Sequence, residues 1–289
     1  MAPALVLYVT FAIYPLLSSI LGSLFAWDGF RRGDLIGLDN FVRLLGPEQA
    51  PRLTGAFLHN VAWFVGIMAV QNVVGLLVAY ALYRRRGSTD PIRALIFLPA
   101  IAGPVLVGAL WRLLLAPNGP VNELLKAAGL IGAPVAWLGD GSIALWVLIL
   151  VDAWNWLGLP LLVFYAGFRG IPPELVEAGS LDGAGSLRLL VAIALPLVMQ
   201  SVLIVTVLTF INAFNQFDIV YVMSGVQGNP GYATDTLGTY FYRLAFGAQG
   251  ASGLTDIGLA LAVASGLFLL LAVGSVIGLR VMGARIVRY

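Results

Sequence analysis

Six stretches of this chain are apolar for long enough to cross a lipid bilayer, and nothing else in it limits the fold so strongly. A membrane-spanning helix needs about 20 predominantly apolar residues. The runs fall at roughly 2–27, 58–83, 94–116, 143–168, 191–223 and 257–281. In hydrocarbon every backbone N–H and C=O must find a partner within the protein, so runs of this length read as helices. The expectation is an all-α integral membrane protein in which residues 1–289 form one transmembrane domain. The fifth run exceeds one crossing, which predicts strong tilt or a projection beyond the lipid. Pro15, Pro99, Pro104, Pro160 and Pro196 mark expected kinks or ends.

Composition agrees. Apolar residues make up 60% of the chain and charged residues 10%, against about 45–50% and 25% in soluble domains. So few charges cannot cover the surface of a water-soluble fold of this size. There is no cysteine, so disulfides, thiolate metal sites and thiol nucleophiles are excluded. A net charge of +2 gives no basic face for nucleic acid. The first run is too long for a signal h-region and no basic residue precedes it, so it reads as a true span with a short or absent cytoplasmic tail.

With an even number of spans both termini lie on one side, and basic residues decide which. Arg84, Arg85, Arg86, Arg93, Arg169, Arg188, Arg280, Arg285 and Arg288 are nine of the 16 Lys and Arg residues, and all fall on that side. The short, charge-dense loop 84–93 weighs most, which places the termini in the cytoplasm.

The cytoplasmic segment 171–196 carries the most information. It reads IPPELVEAGSLDGAGSLRLLVAIALP. Pro172 and Pro173 suit a helix start. Glu174 and Glu177 fall where carboxylates favour the helix dipole. Leu175, Ala178, Gly179 and Leu181 are apolar or small, so the helix can lie close against another protein surface. Gly183 and Gly185 break it, and Ser186 is placed to cap the next helix. A short helix parallel to the membrane and joined to the fifth span could transmit a push from a cytoplasmic partner.

This segment resembles the EAA loop of ABC importer permeases, whose pattern is EAA, three residues, Gly, nine residues, Ile, one residue, Leu-Pro. Here Glu177-Ala178-Gly179 leads to Gly183, Ile193 and Leu195-Pro196 at those spacings. Gly179 in place of the third-position alanine is a mild departure. Further segments resemble the carbohydrate-uptake branch, the maltose and glycerol-phosphate type. They are Ile36-Gly37-Leu38-Asp39-Asn40-Phe41, Leu98-Pro99 with Trp111, Gly119 with Asn122, and Phe214 through Ser224.

The resemblance implies a type I importer permease fold with six spans and a cytoplasmic coupling helix. Its ATPase-coupling residues would be Glu174, Glu177, Ala178, Gly179, Asp182, Gly183, Leu195 and Pro196. It implies a second permease subunit, two ABC ATPase subunits and an extracytoplasmic substrate-binding protein, in the inner membrane of a prokaryote. No cofactor is expected in this chain. A P-loop needs Gly-Lys-Ser/Thr, and the one lysine, Lys126, stands between Leu125 and Ala127. ATP and Mg would be bound by the partner ATPase.

Polar residues inside spans are costly and face an interior or a cavity by default. Asp152 and Asn155 lie at i,i+3 on the fourth run, with Trp154 and Trp156 beside them. Asn212, Asn215 and Gln216 lie at i, i+3, i+4 on the fifth, one helical face. Gln71 and Asn72 sit mid-way along the second. Amides exchange hydrogen bonds with sugar hydroxyls and indoles stack on sugar C–H faces. A substrate pathway of Asn155, Trp156, Asn212, Asn215 and Gln216 is one reading. Interhelical hydrogen bonding is the other.

Asp152 reads as a structural hydrogen bond or ion pair rather than a proton relay, and His59 as an interfacial packing residue. The stretch Thr236–Phe246 is amphipathic, with Arg243 offering a charge. It serves either to dock a binding protein or to seal the helices. An ion-gradient-driven secondary transporter is the rival class, but it calls for paired interrupted helices in detectable repeats. A phosphate-bearing solute such as a glycerol phosphate would call for basic residues at mid-span. None is found there, which favours a neutral sugar.

Overall fold

The computed structural model describes residues 2–85, 87–247 and 255–283. Arg86, Arg285 and Arg288, used above for orientation, lie outside the described residues. Among the described residues four helices are long and apolar enough to cross a membrane: α1 (Pro3–Gly22), α3 (Ala50–Arg84), α4 (Asp90–Leu114) and α13 (Ile257–Gly283). Two bent pairs raise the count to six if each is one span: α6 (Ala144–Asn155) with α7 (Gly158–Arg169), bent by 49°, and α9 (Ser186–Leu197) with α10 (Met199–Phe214), bent by 75°. Shorter helices are α2 (Asp39–Leu44), α5 (Pro120–Ala127), α8 (Pro173–Leu181), α11 (Asp218–Ser224) and α12 (Leu237–Phe246).

Three expectations need correction. The first span ends at Gly22, and the chain then forms an antiparallel hairpin of β1 (Phe25–Asp28) and β2 (Arg31–Leu35). The described residues are therefore helical with one small hairpin. The apolar run hid this end because Phe25, Ala26 and Trp27 are as apolar as the span before them. The fourth run is broken at 156–157 rather than continuous. The fifth is no single tilted helix: it breaks near Val198 and again at 215–217, so 186–224 form three helical pieces.

Contacts divide the chain into two compact units. One comprises Met1–Val61, Leu138–Leu145 and Phe214–Ala272; the other comprises Ala62–Trp137, Trp146–Ala213 and Val273–Tyr289. In the second unit the centre is the packing of α3 on α7. Ala79, Tyr80, Leu161, Phe164 and Phe168 are buried there with Leu190, Ala194 and Val198 of the following helices. The kink of α4 sits at Gly103, with φ 73° and ψ 154°. Pro104 disfavours the α region for the residue before it, and only glycine is at ease in the conformation adopted instead.

Two asparagines that carried part of the resemblance hold loops in place. Asn40 is 1% exposed. Its Nδ2 donates to the carbonyls of Ser23 at 2.8 Å and Phe25 at 2.9 Å, fixing the hairpin to α2. Asn122 is fully buried. Its Nδ2 donates to the carbonyls of Ala116, Pro117 and Val135, and its Oδ1 accepts from Val135 N and Trp137 Nε1. A loop whose backbone groups are bonded this fully by one side chain is rigid.

Candidate functional site

The segment 171–196 folds as its residues predict, with one difference. Pro172 caps α8 and Pro173 occupies its first turn. The helix ends in a Schellman arrangement: Ala184 N–H donates to Gly179 O at 3.0 Å, and Gly183 N–H to Ser180 O at 3.1 Å. Gly183 has φ 79°, the left-handed value that this motif places on glycine. Gly185, not Ser186, is the cap of α9, and no side-chain hydrogen bond forms there.

Burial sorts the eight predicted coupling residues into three groups. Glu174, Glu177, Ala178, Asp182, Gly183 and Pro196 are exposed, and Leu195 is half-buried. Gly179 is buried within its own chain. A Cβ there would stand 2.5 Å from Ile193 Cδ1 and 2.9 Å from Leu189 Cδ2, both on α9. The small residue thus seats α8 on α9 rather than on a partner. The opposite face is bare, with Leu181 89% exposed beside Glu174 and Glu177.

In the same unit, polar side chains gather where α6 breaks into α7. Pro160 has no N–H to give the carbonyl of Trp156, four residues back. Gln71 supplies a donor instead: its Nε2 lies 3.3 Å from Trp156 O, which also accepts from Leu159 N at 3.2 Å. Gln71 reaches it from a π-helical stretch of α3, Met68–Asn72. Such bulges turn side chains out of normal register. The neighbouring Asn72 donates to Thr209 Oγ1 at 2.9 Å. Asp152 is 6% exposed and accepts from Trp63 Nε1 at 2.9 Å. It acts as a structural acceptor, as read from the sequence.

Trp156 and Asn212 line a cleft here together with Trp63, Gln71, Asp152 and Thr209. Its volume of about 30 Å³ holds water-sized molecules only. Asn155 is fully buried, and neither its Nδ2 nor its Oδ1 has a hydrogen-bond partner.

The first unit holds the other two predicted pathway residues, and here the expectation of one helical face fails. Asn212 is on α10, but α10 stops at Phe214, and Asn215 and Gln216 lie in the break before α11. Asn215 lines a recess of about 430 Å³ with Phe217, Phe241, Tyr242, Phe268 and Leu271. The sequence alone does not assign the aromatic members this role. Their signal was the run of rings at 217, 221, 241, 242 and 246, whose meaning depended on where α12 docks.

Helix α12 opens with a capping box between Thr236 and Thr239. Leu237, Thr239, Tyr240 and Ala245 are buried, the residues between them are half-buried, and Phe246 is its one strongly exposed large apolar residue. Arg243 does not offer a free charge: it is paired with Asp235, the two side chains being 9% and 3% exposed. His59 Nδ1 lies at hydrogen-bond distance, 2.8 Å, from Asp235 O, a polar contact where only packing is expected from the sequence. Burial pushes the Tyr240 hydroxyl up to about 12, against the opposing pull of Arg243 and Arg52. Asp140, in an exposed loop, is held below the usual carboxylate range by hydrogen bonds from the hydroxyl and N–H of Ser142.

The geometry is that of a multi-pass helical membrane protein whose short helix α8 is clamped at one glycine and bare on its other face. The chain belongs to the family of inner membrane components of binding-protein-dependent transport systems, which it matches over residues 71–284. It is 32% identical over 250 residues to the probable ABC transporter permease protein YurN of Bacillus subtilis (strain 168), covering 85% of this chain and 84% of that one. It is 30% identical to the lactose transport system permease protein LacF of Rhizobium radiobacter, covering 85% and 81%. A crystal structure of a bacterial ABC transporter involved in the import of the acidic polysaccharide alginate shares the fold. It has a TM-score of 0.78 at 22% identity, over 99% of this chain and 94% of that one. The protein is thus a multi-pass inner-membrane permease subunit of an ABC importer that works with a substrate-binding protein.

Proposed function

We propose that this subunit imports a neutral sugar and that its motive force is ATP hydrolysed by separate subunits. The complete assembly would hold a second permease and two ATPases, in the cytoplasmic membrane of a prokaryote with both termini inside. The bare face of α8 carries the reading. Exposed Glu174, Glu177 and Leu181 form an acidic and apolar patch suited to a groove on a cytoplasmic ATPase. The close seat of Gly179 on α9 lets a push on that patch reach the broken fifth span.

The sugar class is supported by the lactose permease relative and by aromatic rings beside Asn215, which suit sugar C–H faces and hydroxyls. Asn155, Trp156, Asn212, Asn215 and Gln216 are the residues proposed to meet substrate along the path.

The test is uptake into proteoliposomes holding the full complex, using lactose, maltotriose, N,N′-diacetylchitobiose and sn-glycerol 3-phosphate as probes. ATP-dependent uptake of one of the neutral sugars is expected. L181D should lower it at least ~10-fold while leaving thermal stability within about 0.5 kcal/mol, as for exposed positions generally. Uptake driven by an ion gradient without ATP would overturn the proposal, as would transport of the phosphate ester alone.

A further inference from the structure

Helix α12 is joined to the break at 215–217 by three separate contacts. Thr236 Oγ1 donates to the backbone carbonyl of Gln216 at 2.8 Å. Gly238 approaches the same peptide so closely that a Cβ on it would stand 2.6 Å from Gln216 O and 3.0 Å from Phe217 Cβ. The rings of Phe217 and Tyr242 pack with centroids 5.2 Å apart. The obstacle at Gly238 includes backbone, so no side-chain rotation relieves it.

Behind these contacts α12 is itself anchored. Thr239 Oγ1 donates to Asp235 Oδ1 at 2.7 Å, Arg243 bonds both oxygens of Asp235, and Arg243 also donates to Val226 O at 2.7 Å. Asn60 Oδ1 accepts from Leu237 N at 2.9 Å. A satisfied buried network of this kind holds one geometry. It ties the segment around Val226, the start of α12 and the Gln216 peptide into one connected set of bonds. Phe241 and Tyr242 of α12 also form part of the recess that Asn215 lines.

We infer that α12 is the positioning element of the substrate path: Thr236 and Gly238 set the Asn215–Gln216 break, so that displacement of the 225–247 segment alters the path at Asn215. A helix end leaves backbone carbonyls to be satisfied from outside the helix, and just past the end of α10 the Gln216 carbonyl accepts from Thr236 Oγ1. With the Gly238 contact, this braces the break from α12. This inference rests on the proposed importer reading and adds the route by which an event at α12 reaches the path.

The test uses the full complex in nanodiscs with T236V, T236S and G238A. T236V removes the donor, T236S keeps it, and G238A pushes the Gln216 peptide away while leaving the helix cap intact. In hydrogen–deuterium exchange, T236V and G238A should raise the exchange rate of amides 217–221 about five-fold, the order set by one lost hydrogen bond. T236S should stay as in the wild type, as should the rest of the unit in G238A; T236V should in addition raise exchange at the first amides of α12, whose cap it removes. In proteoliposomes given the panel sugar that the wild type takes up, both defective variants should lower sugar moved per ATP about five-fold, with basal hydrolysis within about two-fold.

Unchanged exchange in T236V and G238A overturns the inference. So does exchange raised throughout the unit with loss of the assembled complex, since that marks a merely structural role. A T236S defect equal to that of T236V overturns it too. If the wild type takes up none of the panel sugars, the neutral-sugar reading fails instead, and the exchange measurement still decides the role of α12.

Discussion

Arg243 holds both carboxylate oxygens of Asp235, Nη1 at 2.7 Å from Oδ1 and Nη2 at 2.5 Å from Oδ2, in a place where neither side chain is more than 9% exposed. The pair lies outside the apolar runs and fixes how α12 leaves the preceding loop. Removing one partner strands a buried charge, which typically costs about 3–5 kcal/mol. R243M should therefore lower the thermal stability of the purified subunit in detergent by that amount. The double variant R243M/D235L should recover most of it. Additive losses in the double variant would show that the two side chains do not act as a pair.

At the break of the fourth span, Gln71 stands in for the N–H that Pro160 lacks. One hydrogen bond of this sort contributes about 1 kcal/mol net. Q71M should cost that much in the native chain and close to nothing beside P160A, because the alanine N–H can serve Trp156 O in its place. A double-mutant cycle on thermal unfolding measures the coupling. Equal costs of Q71M in both backgrounds would separate the two residues.

Asn155 presents the opposite case, an amide buried with neither atom bonded. An apolar residue of similar shape should be neutral or stabilising there. N155L is expected to melt at the same temperature as the wild type or higher. A loss of about 2 kcal/mol or more would mean that the amide has partners which this arrangement does not supply. Lost uptake with stability kept would support its role in the path.

Tyr240, on α12 outside the six runs, donates its hydroxyl hydrogen bond to Gln49 Oε1 at 2.9 Å. Burial raises its ionisation to about 12, above the ordinary tyrosine value near 10. The folded state therefore favours the neutral phenol. That contribution is present in full below about pH 10 and is lost as pH rises through about 12. Absorbance titration at alkaline pH should show one phenol ionising about two units late, and Y240F should remove it. A titration curve unchanged by Y240F would contradict the burial assigned to this ring.

Much of the fold was readable along the chain, because span length and helix ends are local properties. Pro172 and Pro173 start α8, and Gly183 stops it at φ 79°. The sites were less readable. Asn212, Asn215 and Gln216 have helical spacing, yet two of them leave the helix, at a break where Thr236 and Gly238, about 20 residues further on, meet the Gln216 peptide. Phe217 and Tyr242 join Asn215 only where α12 returns to it.

By itself the amino-acid sequence determined the solvent, the number of apolar runs and the short helix between the fourth and fifth. Each follows from hydrophobic length or from the fixed preferences of proline and glycine at helix ends. Tertiary structure alone decided where the spans break, which of the small residues in 177–179 faces the chain and which is bare, and that Arg243 is consumed by Asp235. Those outcomes depend on partners far away in the chain. A backbone carbonyl freed by a proline or a break must be satisfied by whatever donor packs beside it, and local periodicity carries no record of that donor.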